Sequence, residues 1–134
     1  MSDDYTAITH GISVKVRSFF LADQSRPDER HFVWAYRVRM ENQSSETIQL
    51  LRRTWRITDG QGRVQHVHGD GVIGQQPVLK PGETFEYTSG TPLETASGFM
   101  TGQYHMILTA SGAAIDVDIP DFSLDSPYYA GVVH

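Results

Sequence analysis

Apolar residues recur at every second position through most of the chain, and no stretch long enough for a helix carries a 3.6-residue period. Ile12, Val14 and Val16 alternate with Ser13, Lys15 and Arg17, which predicts a strand over 12–17 with one apolar and one cationic face. A polar segment from Leu21 to Arg30, broken by Pro27, separates it from the clearest strand of the chain. There Phe32, Trp34, Tyr36, Val38 and Met40 share one face, and Val33, Ala35, Arg37, Arg39 and Glu41 the other. The large residues mark the core side. After the turn cluster Glu41–Glu46, the strand over 47–58 changes parity, from Ile48 and Leu50 to Leu51, Trp55 and Ile57. Such a switch predicts a β-bulge near Leu50 and Leu51.

Asp59-Gly60-Gln61-Gly62 is a hairpin signal feeding a strand over 63–68, and a Gly- and Pro-rich loop follows from Gly69 to Gly82. Further strands are predicted over 83–88, 102–108 and 115–119, the last ending before Pro120, with a loop over 89–95. Seven strands at short spacing, with no helix to carry a parallel crossover, predict an all-β antiparallel sandwich of the immunoglobulin or fibronectin type III kind, with a barrel as the alternative. Tyr104, entering its strand from a loop, is placed as a corner tyrosine bonding back to loop backbone. The whole chain, 1–134, reads as one domain with its core over about 8–122.

Composition narrows the chemistry. The chain has 134 residues, no cysteine and a net charge of −5. It is long enough to fold without staples, and disulfide, thiolate and Cys-ligated metal chemistry are excluded. Acids follow Met1 where a secretory signal would carry Lys or Arg, and no apolar run approaches a membrane span, so a soluble cytoplasmic protein without a membrane partner is expected. Net acidity argues against a nucleic-acid partner. No cofactor is expected, and the oligomeric expectation is a monomer or weak homodimer.

Three constellations bear on function. Gly69-Asp70-Gly71-Val72-Ile73-Gly74 matches G-x-G-x-x-G, but Pro77 and Pro81 follow where a dinucleotide site needs a helix, which excludes a Rossmann site. Two readings of Gly69, Gly71 and Gly74 stay open: an anion-binding nest served by Arg63 and Lys80, or a tight loop that needs positive φ. His66 and His68 point to one side of a strand and are weak metal candidates. They lack a third ligand, for which Asp70, His10, His31, His105 and His134 are possible sources. Arg37 and Arg39, with Arg52, Arg53 and Arg56 on the next strand, form the most cationic region, a partner surface if those strands are neighbours. The alternative is a solvated face of Arg–carboxylate pairs. No nucleophile elbow or zinc-protease helix is present, Asp116 and Asp118 read as the wet side of a strand, and no catalytic residue is assigned.

The run Trp55-Arg56-Ile57-Thr58-Asp59-Gly60, the segment Gly69 to Glu83, and Phe85-Glu86-Tyr87-Thr88-Ser89-Gly90 resemble the ApaG (CorD) family. Leu93-Glu94-Thr95, Gly98-Phe99-Met100, Gly102-Gln103-Tyr104-His105-Met106 and the closing Ile119-Pro120 with Phe122 keep the family's order and spacing. The resemblance covers nearly the whole chain. It implies a stand-alone bacterial protein with a fibronectin type III-like sandwich, a non-enzymatic binding module mediating protein–protein contacts, in a family linked to cobalt resistance and magnesium efflux. Related domains are appended to larger eukaryotic proteins, among them F-box proteins. The alternative is a sensor binding a phosphate-type anion or divalent metal at the loop from His66 to Gly74. The resemblance brings no catalytic residues. The ending Ser126 to His134 departs from the shorter family endings.

Overall fold

The computed structural model describes residues 4–128, which include nine strands. These are β1 (Tyr5–Thr9), β2 (Ile12–Phe20), β3 (Phe32–Asn42), β4 (Ile48–Asp59), β5 (Val64–Asp70), β6 (Val78–Leu79), β7 (Thr84–Leu93), β8 (Gly98–Leu108) and β9 (Ala114–Leu124). All pair antiparallel in two sheets, β1-β2-β3-β7 and β5-β4-β8-β9, with β6 paired to β4. The sandwich expected from the alternation is therefore the fold. Two short 3-10 turns, Ala22–Gln24 and Pro27–Glu29, lie before β3, and no helix among the described residues is long and apolar enough to cross a membrane.

The core forms where the inward faces of the two sheets meet. Trp34, Tyr36, Val38 and Met40 of β3 are buried, as are Trp55, Tyr104, Val117 and Phe122 of the facing sheet. Trp55 is the hub, with its ring edge-on to Tyr36 (5.5 Å), Phe122 (6.0 Å) and Tyr104 (6.4 Å). Gly102 makes room for it, because a Cβ there would stand 2.8 Å from the Trp55 ring. Trp34 donates its indole N–H to the Asp125 carbonyl at 2.8 Å, so its one polar atom is satisfied. On one side the sandwich is closed by β1 and β2 against β9, where the Tyr5 and Ser123 hydroxyls bond at 2.8 Å. The sheets end on the other side at β5 and β7.

The parity switch is a bulge: the β4–β8 register shifts between Leu50 and Arg52. Several boundaries differ from the sequence expectation. β1 and β6 are additional strands, and β7 continues through Gly90 and Pro92 where a loop was predicted. Pro92 is tolerated because β7 is an edge strand with one side unpaired. Similarly, β9 runs past Pro120, which shares with Asp121 a bulge opposite Thr101. Tyr104 is not a corner tyrosine. It sits inside β8, fully buried, and its hydroxyl bonds that of Tyr87 rather than loop backbone. Burial raises both phenols well above the usual tyrosine range.

Candidate functional site

The glycine hexad is built around an arginine. The bulge in β4 turns Arg52 outward and Arg53 inward, toward the side shared by Trp55 and Tyr104. Arg53 lies opposite Gly69 of β5, and a Cβ on Gly69 would stand 2.6 Å from its guanidinium. That guanidinium donates to the carbonyls of Gly71 (2.7 Å) and Asp70 (3.1 Å). Gly71 then turns at φ +61°, and Val72 and Gln75 exchange backbone hydrogen bonds of 2.8 and 2.9 Å. The two residues between them, Ile73 at φ +43° and Gly74 at φ +78°, form a tight turn of the kind with two positive φ values. Gly69 thus serves side-chain clearance, Gly71 and Gly74 backbone conformation. Arg63 is at the far end of β5, where it pairs with Asp59 (2.6 Å) and Glu94 (3.5 Å). The structure does not bring it to the hexad. The Lys80 backbone N–H belongs to a separate turn, donating to Glu83 at 2.7 Å.

The arginine strip expected from adjacent strands does not exist. β3 and β4 belong to different sheets, because the connection between them crosses the sandwich. Arg37 and Arg39 therefore face solvent from the four-stranded sheet, and Arg52 and Arg56 from the five-stranded one, on opposite sides of the molecule.

The outward face of the five-stranded sheet carries three cross-strand rows. His66 lies opposite Arg56, and Arg56 opposite Thr101. The second row is His68, Thr54, Gln103 and Asp118, and the third is Asp70, Arg52, His105 and Asp116. Gln103 donates to Asp118 at 2.9 Å. An open groove of about 760 Å³ runs over the first two rows, lined by Thr54, Arg56, His66, His68, Gln103 and Asp118 among others. Both histidines of the metal reading are here, yet among the described residues no three His, Asp or Glu side chains converge on one point. His134, named as a possible ligand, is outside the described residues.

One arrangement on this face was not foreseen. His105 Nδ1 is 2.7 Å from Asp116, and its Nε2 is 3.2 Å from the Thr54 hydroxyl. The carboxylate can only accept, so Nδ1 carries the proton and Nε2 of the neutral ring accepts from Thr54. This is a hydroxyl–imidazole–carboxylate chain of the kind that activates nucleophiles. It lies on the central strand of a sheet, however, where β8 is paired on both sides and its backbone N–H groups are used in the ladders. Among the described residues no oxyanion hole accompanies it. The positions are legible once the register is known, since His105 pairs directly with Asp116.

The ApaG domain family model matches residues 22–108, which span β3 to β8 and contain the hexad and the three rows up to β8. The chain belongs to the ApaG family. It is 63% identical over 124 residues to Protein ApaG of Rhodospirillum centenum, covering 92% of this chain and 95% of that protein. Protein ApaG of Paramagnetospirillum magneticum is 59% identical over the same length, again with 92% and 95% covered. A crystal structure described as an ApaA protein from Bordetella pertussis superposes with a TM-score of 0.85 at 45% identity, covering 91% of this chain and 98% of that one. The resemblance read from the residues between Trp55 and Phe122 is thus matched by relatives that cover more than nine-tenths of the chain, and by the fold of the superposed structure.

Proposed function

We propose that this ApaG-family protein is a non-enzymatic binding module that presents the outer face of its five-stranded sheet to a protein partner in the cytoplasm. The observation that carries the reading is the open groove over two rows of hydrogen-bonding side chains, with Arg56 and two histidines at one edge and Asp118 at the other. Such a face offers paired donors and acceptors to a partner's backbone and side chains, with arginine as a preferred contact residue. The Thr54–His105–Asp116 chain serves here to fix side-chain orientation across β4, β8 and β9, since among the described residues no donors are aimed at a developing oxyanion beside it. The link of the family to cobalt resistance and magnesium efflux, and the CorD name, then act through the partner. A sensor at the loop from His66 to Gly74 is the weaker reading, because Arg53 already uses the loop's carbonyls and the glycines have backbone roles.

Affinity capture from bacterial cytoplasm, run with the wild-type chain, Arg56→Glu and Asp28→Lys, tests the proposal. A protein retained by wild type and Asp28→Lys but lost with Arg56→Glu supports it. Retention by all three variants overturns it, and saturable pyrophosphate or nucleotide binding that vanishes in Gly71→Ala would put the sensor in its place.

A further inference from the structure

The opposite face of the molecule carries a charge arrangement that packing does not require. On the outer side of the four-stranded sheet, Lys15 lies directly opposite Arg39 and Arg17 directly opposite Arg37. Like charges in directly opposed pairs destabilise a sheet, so two such pairs side by side are costly to keep. Four of the 11 basic residues of a chain with net charge −5 are gathered in this square. Among the described residues two carboxylates pair with them, Asp4 with Arg17 at 2.6 Å and Glu86 with Arg39 at 3.8 Å, the latter pair about half exposed. The Arg37 guanidinium stacks 5.4 Å above the Phe19 ring, which holds it over the sheet. Between the six charged side chains lies a depression of about 220 Å³, lined among the described residues by these six alone.

Residues two apart along a strand repeat at about 6.8 Å, and directly opposed residues stand about 5 Å apart. The four cations therefore form two pairs with the repeat of an extended chain. We infer that this face is a docking site for an acidic protein segment that lies extended across β2 and β3, with carboxylates at alternate positions meeting the Lys15/Arg39 and Arg17/Arg37 pairs. An extended peptide with Asp or Glu at every second residue has the same spacing and presents them all on one side. A nucleic-acid strand is a poorer match: its phosphates continue beyond the square onto an acidic molecule, and the one aromatic ring at the site is covered by Arg37. The site is on the face opposite the groove, so the two assignments can fail independently.

Fluorescence anisotropy with a labelled synthetic peptide carrying glutamate at every second position is the test. Probes of comparison are a peptide of identical composition with its glutamates contiguous, a single-stranded oligonucleotide and inorganic phosphate. The alternating peptide is expected to bind best and to weaken as salt is raised. Replacing Lys15 and Arg39 together by Gln should weaken it about tenfold or more, with the thermal unfolding midpoint confirming that the variant is folded. Arg26→Gln, in the exposed turn before β3, should leave peptide binding unchanged. Equal binding of the two peptides, undiminished binding by the folded Lys15→Gln/Arg39→Gln variant, or preference for the oligonucleotide or phosphate overturns the inference.

Discussion

Replacing Gly71 by Ala separates a structural hexad from an anion nest, and its cost can be worked from the turn. Gly71 has φ +61°, and an L-residue in that region costs about 1–2 kcal/mol. The added Cβ would also stand 2.2 Å from the Gln75 carbonyl oxygen, a backbone atom that cannot rotate away. Relieving that contact means opening the Val72–Gln75 pair, whose two hydrogen bonds of 2.8 and 2.9 Å contribute about 1 kcal/mol each. The sum is about 3–4 kcal/mol, and Val72, 1% exposed, is pulled from the core as the turn opens. Gly74→Ala meets nothing within 4 Å at φ +78° and should cost only the conformational part, about 1 kcal/mol. Gly69→Ala has neither fault. It displaces the Arg53 guanidinium from the Asp70 and Gly71 carbonyls, for about 1–2 kcal/mol, and that cost should largely vanish in an Arg53→Ala background. Urea denaturation of the three variants, compared at constant slope, measures the series. Equal costs at Gly71 and Gly74, or no loss at Gly71, would refute the turn as the reason for the motif.

Four other outcomes follow from the same structure. Ile73→Asn should raise stability by about 1 kcal/mol, because an exposed β-branched residue is held at φ +43° where Asn is favoured; a lower denaturation midpoint would contradict this. Trp34→Ala should cost about 3–5 kcal/mol, since the ring is fully buried and its N–H is bonded; an unchanged midpoint would place the ring at the surface. Burial raises the phenols of Tyr104, Tyr87 and Tyr36, so their contribution to stability is complete below the ordinary tyrosine value of about 10 and is lost above it, as the unfolded chain ionises first. Alkaline titration followed by tyrosinate absorbance and circular dichroism should show these residues ionising together with unfolding, not before it. Calorimetry with cobalt and then magnesium near neutral pH should show at most weak cobalt binding at His66 and His68, and a tight stoichiometric magnesium isotherm would contradict that.

The strands easiest to read were those whose two faces differ most. β3 alternates large apolar residues with arginines, and the core of the molecule follows from it. β1 has no such pattern, because its apolar Ile8 points outward and is 62% exposed, while Tyr5, Ala7 and Thr9 are only half-buried. β7 and β9 extend beyond their predicted ends through Gly90, Pro92 and Pro120, residues that end strands in isolation but are accommodated by an unpaired edge and a bulge. The site was less legible for a topological reason. Neighbours in sequence, β3 and β4, are on opposite faces, whereas Lys15 and Arg37, which do share a face, are separated by a polar loop. The chain Thr54–His105–Asp116 likewise depends on the pairing of three strands, which no local pattern specifies.

Whether the outer face of the five-stranded sheet meets a protein partner can be read by photo-crosslinking in living cells. A photoreactive residue placed at Gln103, in the middle of the groove, is compared with one at the exposed Asp28. A partner seated on this face gives a discrete higher-mass adduct from position 103, absent from position 28 and abolished by Arg56→Glu; the same adducts from both positions, or none from 103 in a folded and expressed protein, would rule such a partner out.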